Sequence, residues 1–219
     1  MTAPYRTIGT VVEHETEIRR SRFICALAPV DGEEAAREFI AERRRLYADA
    51  SHNCVAYVIS EGGGSRGVRR ADDDGEPGGT AGTPMLEMLT RRGFADVVAV
   101  VTRYFGGVLL GAGGLARAYG GTVGETLDRA QVVDMVPAAV VTVLVGHAQA
   151  GRLESDLRAS PYAVRGVDYS VDDGDGHGAR VAFEVTVAED RLPAFEEWIA
   201  AVTAGRAETA LGETVHLAR

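Results

Sequence analysis

The spacing of hydrophobic and polar residues changes twice along the first 60 residues. Between Tyr5 and Val30 the two kinds alternate, which predicts two or three antiparallel strands joined by short turns. Residues 32–47 carry apolar side chains at helical spacing, and Asp31 with Glu34 has the spacing of a capping box, so we expect a capped helix there. The compact apolar run over residues 53–60 predicts a further strand.

The next elements follow a segment rich in glycine and charge, residues 61–82, which we expect to be one long loop. Pro84 suits the first turn of a helix that ends near Gly93. The run from Val97 to Val101 is continuous and β-branched, which is typical of a strand buried on both faces. Glycines come after it, and a helix is expected from about Gly114 to Ala130.

The last third of the chain predicts a separate domain. Residues 131–137 are interpreted as a linker, after which the order strand, helix, strand occurs twice. The expected strands cover 138–145, 163–171, 179–187 and 208–217, the helices cover 148–159 and 191–202, and 172–178 is expected to be a turn. This order is typical of a ferredoxin-like sandwich. We therefore expect an α+β protein with domains 1–130 and 138–219.

Composition and charge restrict the class of protein. No apolar stretch approaches the roughly 20 residues that span a bilayer, the first residues lack a signal-peptide core, and two cysteines are too few for a disulfide scaffold. We therefore expect a cytoplasmic protein. The net charge of −9 argues against coating nucleic acid through an overall field. The first 130 residues nevertheless hold 16 arginines against 18 acidic residues, which allows a local contact with RNA, and no DNA-specific motif is found.

Candidate chemistry is concentrated after the central strand. That strand ends in Arg103 and Tyr104, and a glycine-rich connection leads to a helix start, an arrangement typical of an anion site. The glycines in question include Gly106, Gly107, Gly113 and Gly114. They match neither a P-loop nor GxGxxG spacing. The alternative is that they only permit positive φ angles and close packing.

The acidic part of the long loop offers a second candidate. Asp73, Asp74 and Glu76 could hold a divalent cation, but they lack EF-hand spacing, and His52 with Cys54 is too small a ligand set. We expect no metal and no cofactor. We hypothesise that Asp74 or Glu76 pairs with Arg103 and leaves Arg117 available to a ligand. The alternative is that the pair only holds the loop down.

Six sequence blocks within residues 17–120 resemble the Impact/YigZ family. They are EIRRSRFI at 17–24, HNCVAY at 52–57, DDGEP at 73–77, GTAG at 79–82, RYFGG at 103–107 and the glycine-rich block LG, GGL and RAYG within 110–120. The resemblance implies an N-terminal domain with the fold of elongation factor G domain IV and the second domain of a small-subunit ribosomal protein. It also implies a C-terminal domain like domain V of that factor, and eukaryotic relatives that regulate translation through a stress-kinase activator.

Together these observations favour a translation-associated protein that binds RNA or a ribosomal component through its N-terminal domain. The candidate binding residues are His52, Asp73, Asp74, Glu76, Thr80, Arg103, Tyr104, Gly106, Gly107, Gly113, Gly114 and Arg117. One alternative is a small-molecule or metal-dependent enzyme that uses the acidic loop beside Arg103. Another is a protein-interaction adaptor that uses the acidic C-terminal domain. No nucleophile–base pair is recognisable, so we assign no catalytic residue.

Overall fold

A computed structural model describes residues 3–60, 67–171 and 180–219. The chain is a mixed α/β protein whose sheets are antiparallel. It divides into two compact units. The first is Tyr5–Asp134, and the second is Met135–Arg219 together with the N-terminal residues up to Pro4. Among the described residues no helix is long and apolar enough to cross a membrane.

The N-terminal unit contains six strands and three helices among its described residues. They are β1 (Tyr5–Ile8), β2 (Val12–Ile18), β3 (Ser21–Pro29), α1 (Glu33–Leu46), β4 (His52–Ile59), β5 (Val68–Asp72), α2 (Gly82–Arg91), β6 (Val97–Tyr104) and α3 (Ala112–Leu127). The main sheet has the order β2-β3-β6-β4-β5. The predicted central strand is confirmed as β6, which is buried from Val97 to Arg103.

Helices cover both faces of this sheet. On one face α2 and α3 pack against a core that includes Phe23, Met85 and Tyr119. On the other face α1 packs against a smaller cluster around Val55 and Val100. Because β6 lies between β3 and β4, its C-terminal end is flanked by the starts of both neighbours. That end of the sheet carries the candidate site.

Among its described residues the C-terminal unit contains four antiparallel strands and two helices. They are β7 (Val132–Gly146), α4 (His147–Arg158), β8 (Ala163–Val171), β9 (Arg180–Ala188), α5 (Leu192–Thr203) and β10 (Glu208–Ala218). A single 3-10 turn at Glu189–Arg191 precedes α5. The strands follow the order β10-β7-β9-β8. Helices α4 and α5 cover the face that holds Val143 and Phe183, and Phe195 of α5 belongs to the same core.

Three sequence expectations need correction. The side chain of Asp31 does not cap α1, because Gly32 is the N-cap residue and no side-chain cap bond is formed. The segment 61–82 is not one loop, since β5 forms within it as a polar, largely exposed edge strand without apolar alternation. Residues 132–137 of the expected linker belong to β7, where valines recur along the strand. The expected turn at 172–178 lies outside the described residues.

Candidate functional site

The candidate site begins with three side chains aligned across the sheet at the end of β6. Arg103 is opposite Phe23 on β3 and opposite His52 on β4. Directly opposed residues of antiparallel strands place their side chains on the same face. Arg103 therefore lies on the face covered by α2 and α3, with its guanidinium 5.4 Å from the centre of the Phe23 ring.

A buried ion pair occupies the centre of the site. Arg103 Nη1 donates to Glu76 Oε1 at 2.6 Å, and the two side chains are only 6% and 3% exposed. The Tyr119 hydroxyl donates to the same oxygen at 2.7 Å, and Arg103 Nη2 donates to Ser21 Oγ at 3.2 Å. Burial, with the neighbouring Cys54 and Glu76, raises the pKa of Tyr119, so this phenol remains a donor. Of the two acids hypothesised to pair with Arg103, Glu76 does so.

Asp74 does not pair with Arg103 but attaches the loop to β4. Its carboxylate accepts from the Asn53 backbone N–H at 2.7 Å and from Arg44 at 3.1 Å. Its carbonyl oxygen lies 2.9 Å from His52 Nδ1, and the Cys54 thiol donates to the Asp73 carbonyl at 3.0 Å. Because a carbonyl can only accept, His52 carries its proton on Nδ1.

Asp73 acts as a cap for α2 from outside the helix. Its carboxylate accepts from the backbone N–H groups of Gly79, Ala81 and Gly82 at 2.7, 3.0 and 2.8 Å. Burial raises the pKa of Asp73, but the three backbone donors outweigh it and the net pKa is lowered. Thr80 Oγ1 donates to the Pro77 carbonyl at 2.5 Å and completes the turn. Both residues therefore maintain the loop and the start of α2.

A cavity of about 490 Å³ lies beside the ion pair. Its polar lining includes His52, Glu76 and Arg103, and its apolar lining consists of Pro77, Phe105, Leu109, Leu110, Ala112 and Leu115. His52 Nε2 is 3.9 Å from Glu76 Oε1, which exceeds a hydrogen-bond distance. The site thus combines apolar walls with a small polar group, as ligand pockets commonly do.

The first turn of α3 forms one rim of the cavity. Gly111 is its N-cap with a φ of 71°, no side chain caps the helix, and no acidic residue lies in the first turn. Gly113 and Gly114 lie in that turn, and the exposed Arg117 folds back so that its Nη1 is 3.7 Å from the position of a Cβ on Gly113. The Arg117 guanidinium and the backbone N–H groups of the first turn therefore lie at a helix end that already carries a positive partial charge.

The connection between β6 and α3 packs tightly on the turn between β2 and β3. A Cβ on Gly106 would lie 1.8 Å from the Arg20 carbonyl oxygen, so only glycine allows this approach. Gly107 adopts a φ of 83° in open space. Close packing and positive φ, the two alternatives to an anion site, therefore both account for glycines in this loop.

Tyr104 follows Arg103 on β6, so its side chain points to the opposite face of the sheet. Its hydroxyl donates to Asp49 at 2.8 Å, and its ring lies under Arg22, 4.7 Å from the guanidinium carbon. It does not line the cavity. Tyr119 and Ser21 were not among the predicted site residues although they contact the ion pair. Tyr119 could have been singled out from the sequence, because it is a large side chain among small residues of a predicted helix. The pattern of side chains did not single out Ser21.

Comparison with known proteins identifies the kind of chain this is. The family model for the Impact N-terminal domain matches residues 19–127. IMPACT family member YvyE of Bacillus subtilis is 42% identical over 97% of this chain and 93% of its own length. A crystal structure of a hypothetical protein matches with a TM-score of 0.71 and 34% identity, covering 97% of this chain and 98% of that one. Protein IMPACT of Bos taurus is 36% identical over 42% of this chain and 29% of its own.

The class defined by the fold and the site is therefore a two-unit α/β protein with an Impact-type N-terminal unit. The chain belongs to the IMPACT family.

Proposed function

We propose that this protein regulates translation by binding RNA, either free or within a ribosomal subunit. The RNA would contact the N-terminal unit at the end of its main sheet where β6 stops and the cavity lies. The proposal draws on family membership, which includes Protein IMPACT of Bos taurus, and on the translational role that the resemblance implies for eukaryotic members. Family membership alone is an analogy, because one fold hosts many functions. The surface itself supplies the physical argument.

The observation that carries the proposal is a group of exposed arginines beside an exposed aromatic ring. Arg19 and Arg20 form the turn between β2 and β3, and the loop after Phe105 packs against that turn. Phe105 is 48% exposed and lines the same cavity as the first turn of α3, which carries Arg117. Within the described chain these three arginines have no hydrogen-bond or ion-pair partner. Unpaired guanidinium groups near an aromatic face are typical of a single-stranded RNA surface.

A contact made by three arginines depends on the charge near them and not on the net charge of the whole chain. Each arginine that neutralises a phosphate of single-stranded RNA adds about −0.7 to the slope of log affinity against log salt. Three arginines therefore predict a slope of roughly −2, a weak and strongly local interaction. The net charge of −9 belongs mostly to the C-terminal unit, so the contact depends on the arrangement of charge in the N-terminal unit.

Sucrose-gradient fractionation of tagged protein at two salt concentrations tests the proposal. The test variant replaces Arg19, Arg20 and Arg117 with Gln. The control variant replaces Arg69, Arg70 and Arg91, which are exposed arginines of the same unit, with Gln. Both variants therefore change the net charge by the same amount.

We expect the wild type and the control variant to sediment with RNA-containing fractions at low salt and the test variant to remain near the top. Equal behaviour of the two variants would show that overall charge, and not this surface, determines binding. A wild-type protein that never enters RNA-containing fractions would refute the proposal.

The finer description of the fold is part of the same proposal. We infer that the C-terminal unit is a ferredoxin-like sandwich like domain V of elongation factor G, because its strand order β10-β7-β9-β8 and its two helices fit that topology. The N-terminal unit would correspond to domain IV of that factor. Separate expression of residues 1–134 and 135–219 tests whether the two units fold independently, since each fragment should then unfold cooperatively.

A further inference from the structure

We propose that the cavity beside Arg103 receives one unstacked base of single-stranded RNA, with guanine as the preferred base. This inference rests on the proposed function and names the chemistry that the site would recognise. It also explains why apolar side chains surround a site whose rim is basic.

The walls of the cavity suit a flat ring. Its volume of about 490 Å³ falls within the roughly 300–1,000 Å³ of small-ligand sites. Phe105 and Leu109 are 48% and 82% exposed, and they line the cavity with Pro77 and Leu110. Exposed apolar side chains around a concave surface are an indication of an absent partner. A base presents two apolar faces, and bases of single-stranded RNA are bound by stacking on aromatic side chains.

The polar groups of the cavity select the edge of that base. Arg103 uses Nη1 for Glu76 and Nη2 for Ser21. In the neutral form of His52 the proton lies on Nδ1 against the Asp74 carbonyl, and Nε2 is then an acceptor. Both Nε2 of His52 and Oε2 of Glu76 lack a hydrogen bond in the described part of the chain. Two acceptors call for a ligand edge that donates, and the Watson–Crick edge of guanine donates through its ring N–H and its 2-amino group.

The rim of the cavity suits the phosphate attached to such a nucleotide. The first turn of α3 has no side-chain cap and no acidic residue, and Arg117 folds back toward it. Arg103 also lines the cavity, with Nη1 held by Glu76 and Nη2 held by Ser21.

The test uses RNA heptamers that carry a single base at the centre and abasic nucleotides elsewhere, so that charge is constant. Fluorescence anisotropy would compare heptamers whose central nucleotide is guanosine, inosine or abasic. We expect removal of the base to weaken binding about five- to 150-fold, the range found when one stacked base is lost. Inosine lacks the 2-amino group, and it should weaken binding about two- to tenfold.

Two protein variants assign the effect to the cavity. Phe105→Ala removes one wall and should abolish the difference between the guanine and abasic heptamers. The control Leu46→Ala changes an apolar side chain on α1 that is 60% exposed, and it should keep the difference. Glu76→Gln should remove the preference for guanine over inosine, and if that variant unfolds in a thermal melt, Phe105→Ala alone decides.

The outcomes separate this inference from the proposed function. Equal binding of all three heptamers would overturn the inference while RNA binding stands, and so would a guanine preference that Phe105→Ala leaves intact. Absence of binding to every heptamer and to longer single-stranded RNA would overturn the proposed function and the inference with it. Preference for an unstructured peptide over every RNA would do the same.

Discussion

Replacement of Arg103 by Met should be among the most damaging single changes in the N-terminal unit. The Glu76 carboxylate would keep only the Tyr119 hydroxyl as a partner while 3% of its side chain is exposed. Removing one partner of a buried ion pair costs about 3–5 kcal/mol, because the remaining charge is left uncompensated. Domains of this size have total stabilities of about 5–15 kcal/mol, so the loss is a large share of the whole.

Urea unfolding of the full chain measures this loss. The single tryptophan, Trp198, lies on α5 and reports on the C-terminal unit, whereas far-ultraviolet circular dichroism reports on both. The transition seen by dichroism and not by fluorescence therefore belongs to the N-terminal unit. With a slope of roughly 2 kcal/mol per molar urea, the midpoint of that transition should fall by about 2 M in Arg103→Met.

Two further variants show whether burial of the pair is the cause. Arg103→Met combined with Glu76→Leu removes both charges and should cost less than Arg103→Met alone. Arg92→Met breaks an ion pair with Asp128 whose side chains are 36% and 60% exposed, and it should leave the midpoint nearly unchanged. A cost below about 1 kcal/mol for Arg103→Met, or a double variant that is worse than the single one, would refute the reasoning.

Three other predictions concern acid stability, thiols and packing. The pKa of Asp73 is lowered in the folded state, so its stabilisation is complete above the ordinary value of about 3.9 and is lost as pH falls through the folded value. Thermal melts between about pH 6 and pH 3 should therefore show a shallower acid decline in Asp73→Asn than in the wild type, and equal declines would contradict this. Burial raises the pKa of Cys25 and Cys54 to about 12, so neither thiol should react with a chromogenic disulfide at pH 8 until denaturant is added. Rapid reaction of the native protein would contradict that burial. Gly106→Ala should destabilise the unit by about 1–3 kcal/mol in the urea assay because its Cβ would overlap a backbone carbonyl. The control Gly121→Ala has open space within α3 and should be neutral or stabilising, so a loss there equal to that of Gly106→Ala would contradict the packing argument.

The spacing of hydrophobic residues alone predicted most of the helices and strands. The helix after residue 32 depends on burial of a periodic apolar face, and the strand from Val97 depends on a continuous apolar run buried on both faces; a sequence displays both directly. Two of the three errors occur where local polarity was given too much weight. Strand β5 is held by pairing with β4 despite its charged residues, and the hydroxyl and carboxylate preferences for N-cap positions did not apply to Asp31.

The site was predictable in part for the same reason. An arginine at the end of a buried strand needs an acidic partner, and that argument led to Asp74 and Glu76 as alternatives. The choice between them depends on the path of the loop, which Asp73 sets through backbone N–H groups six to nine residues away. Hydrogen bonds to backbone groups cannot be predicted from the pattern of side chains along the sequence. The cavity could not be predicted either, because its walls come from loops that are distant in sequence.

The surface segment between Asp73 and Gly79 should have a fixed length during evolution. One end is attached to β4, where Cys54 and His52 contact the backbone oxygens of Asp73 and Asp74. The other end returns to Asp73 through the N–H of Gly79. Surface loops ordinarily accept insertions, but one residue more or fewer here would separate donors from acceptors at one end. Related sequences should therefore differ in this segment by substitution and keep the number of residues constant.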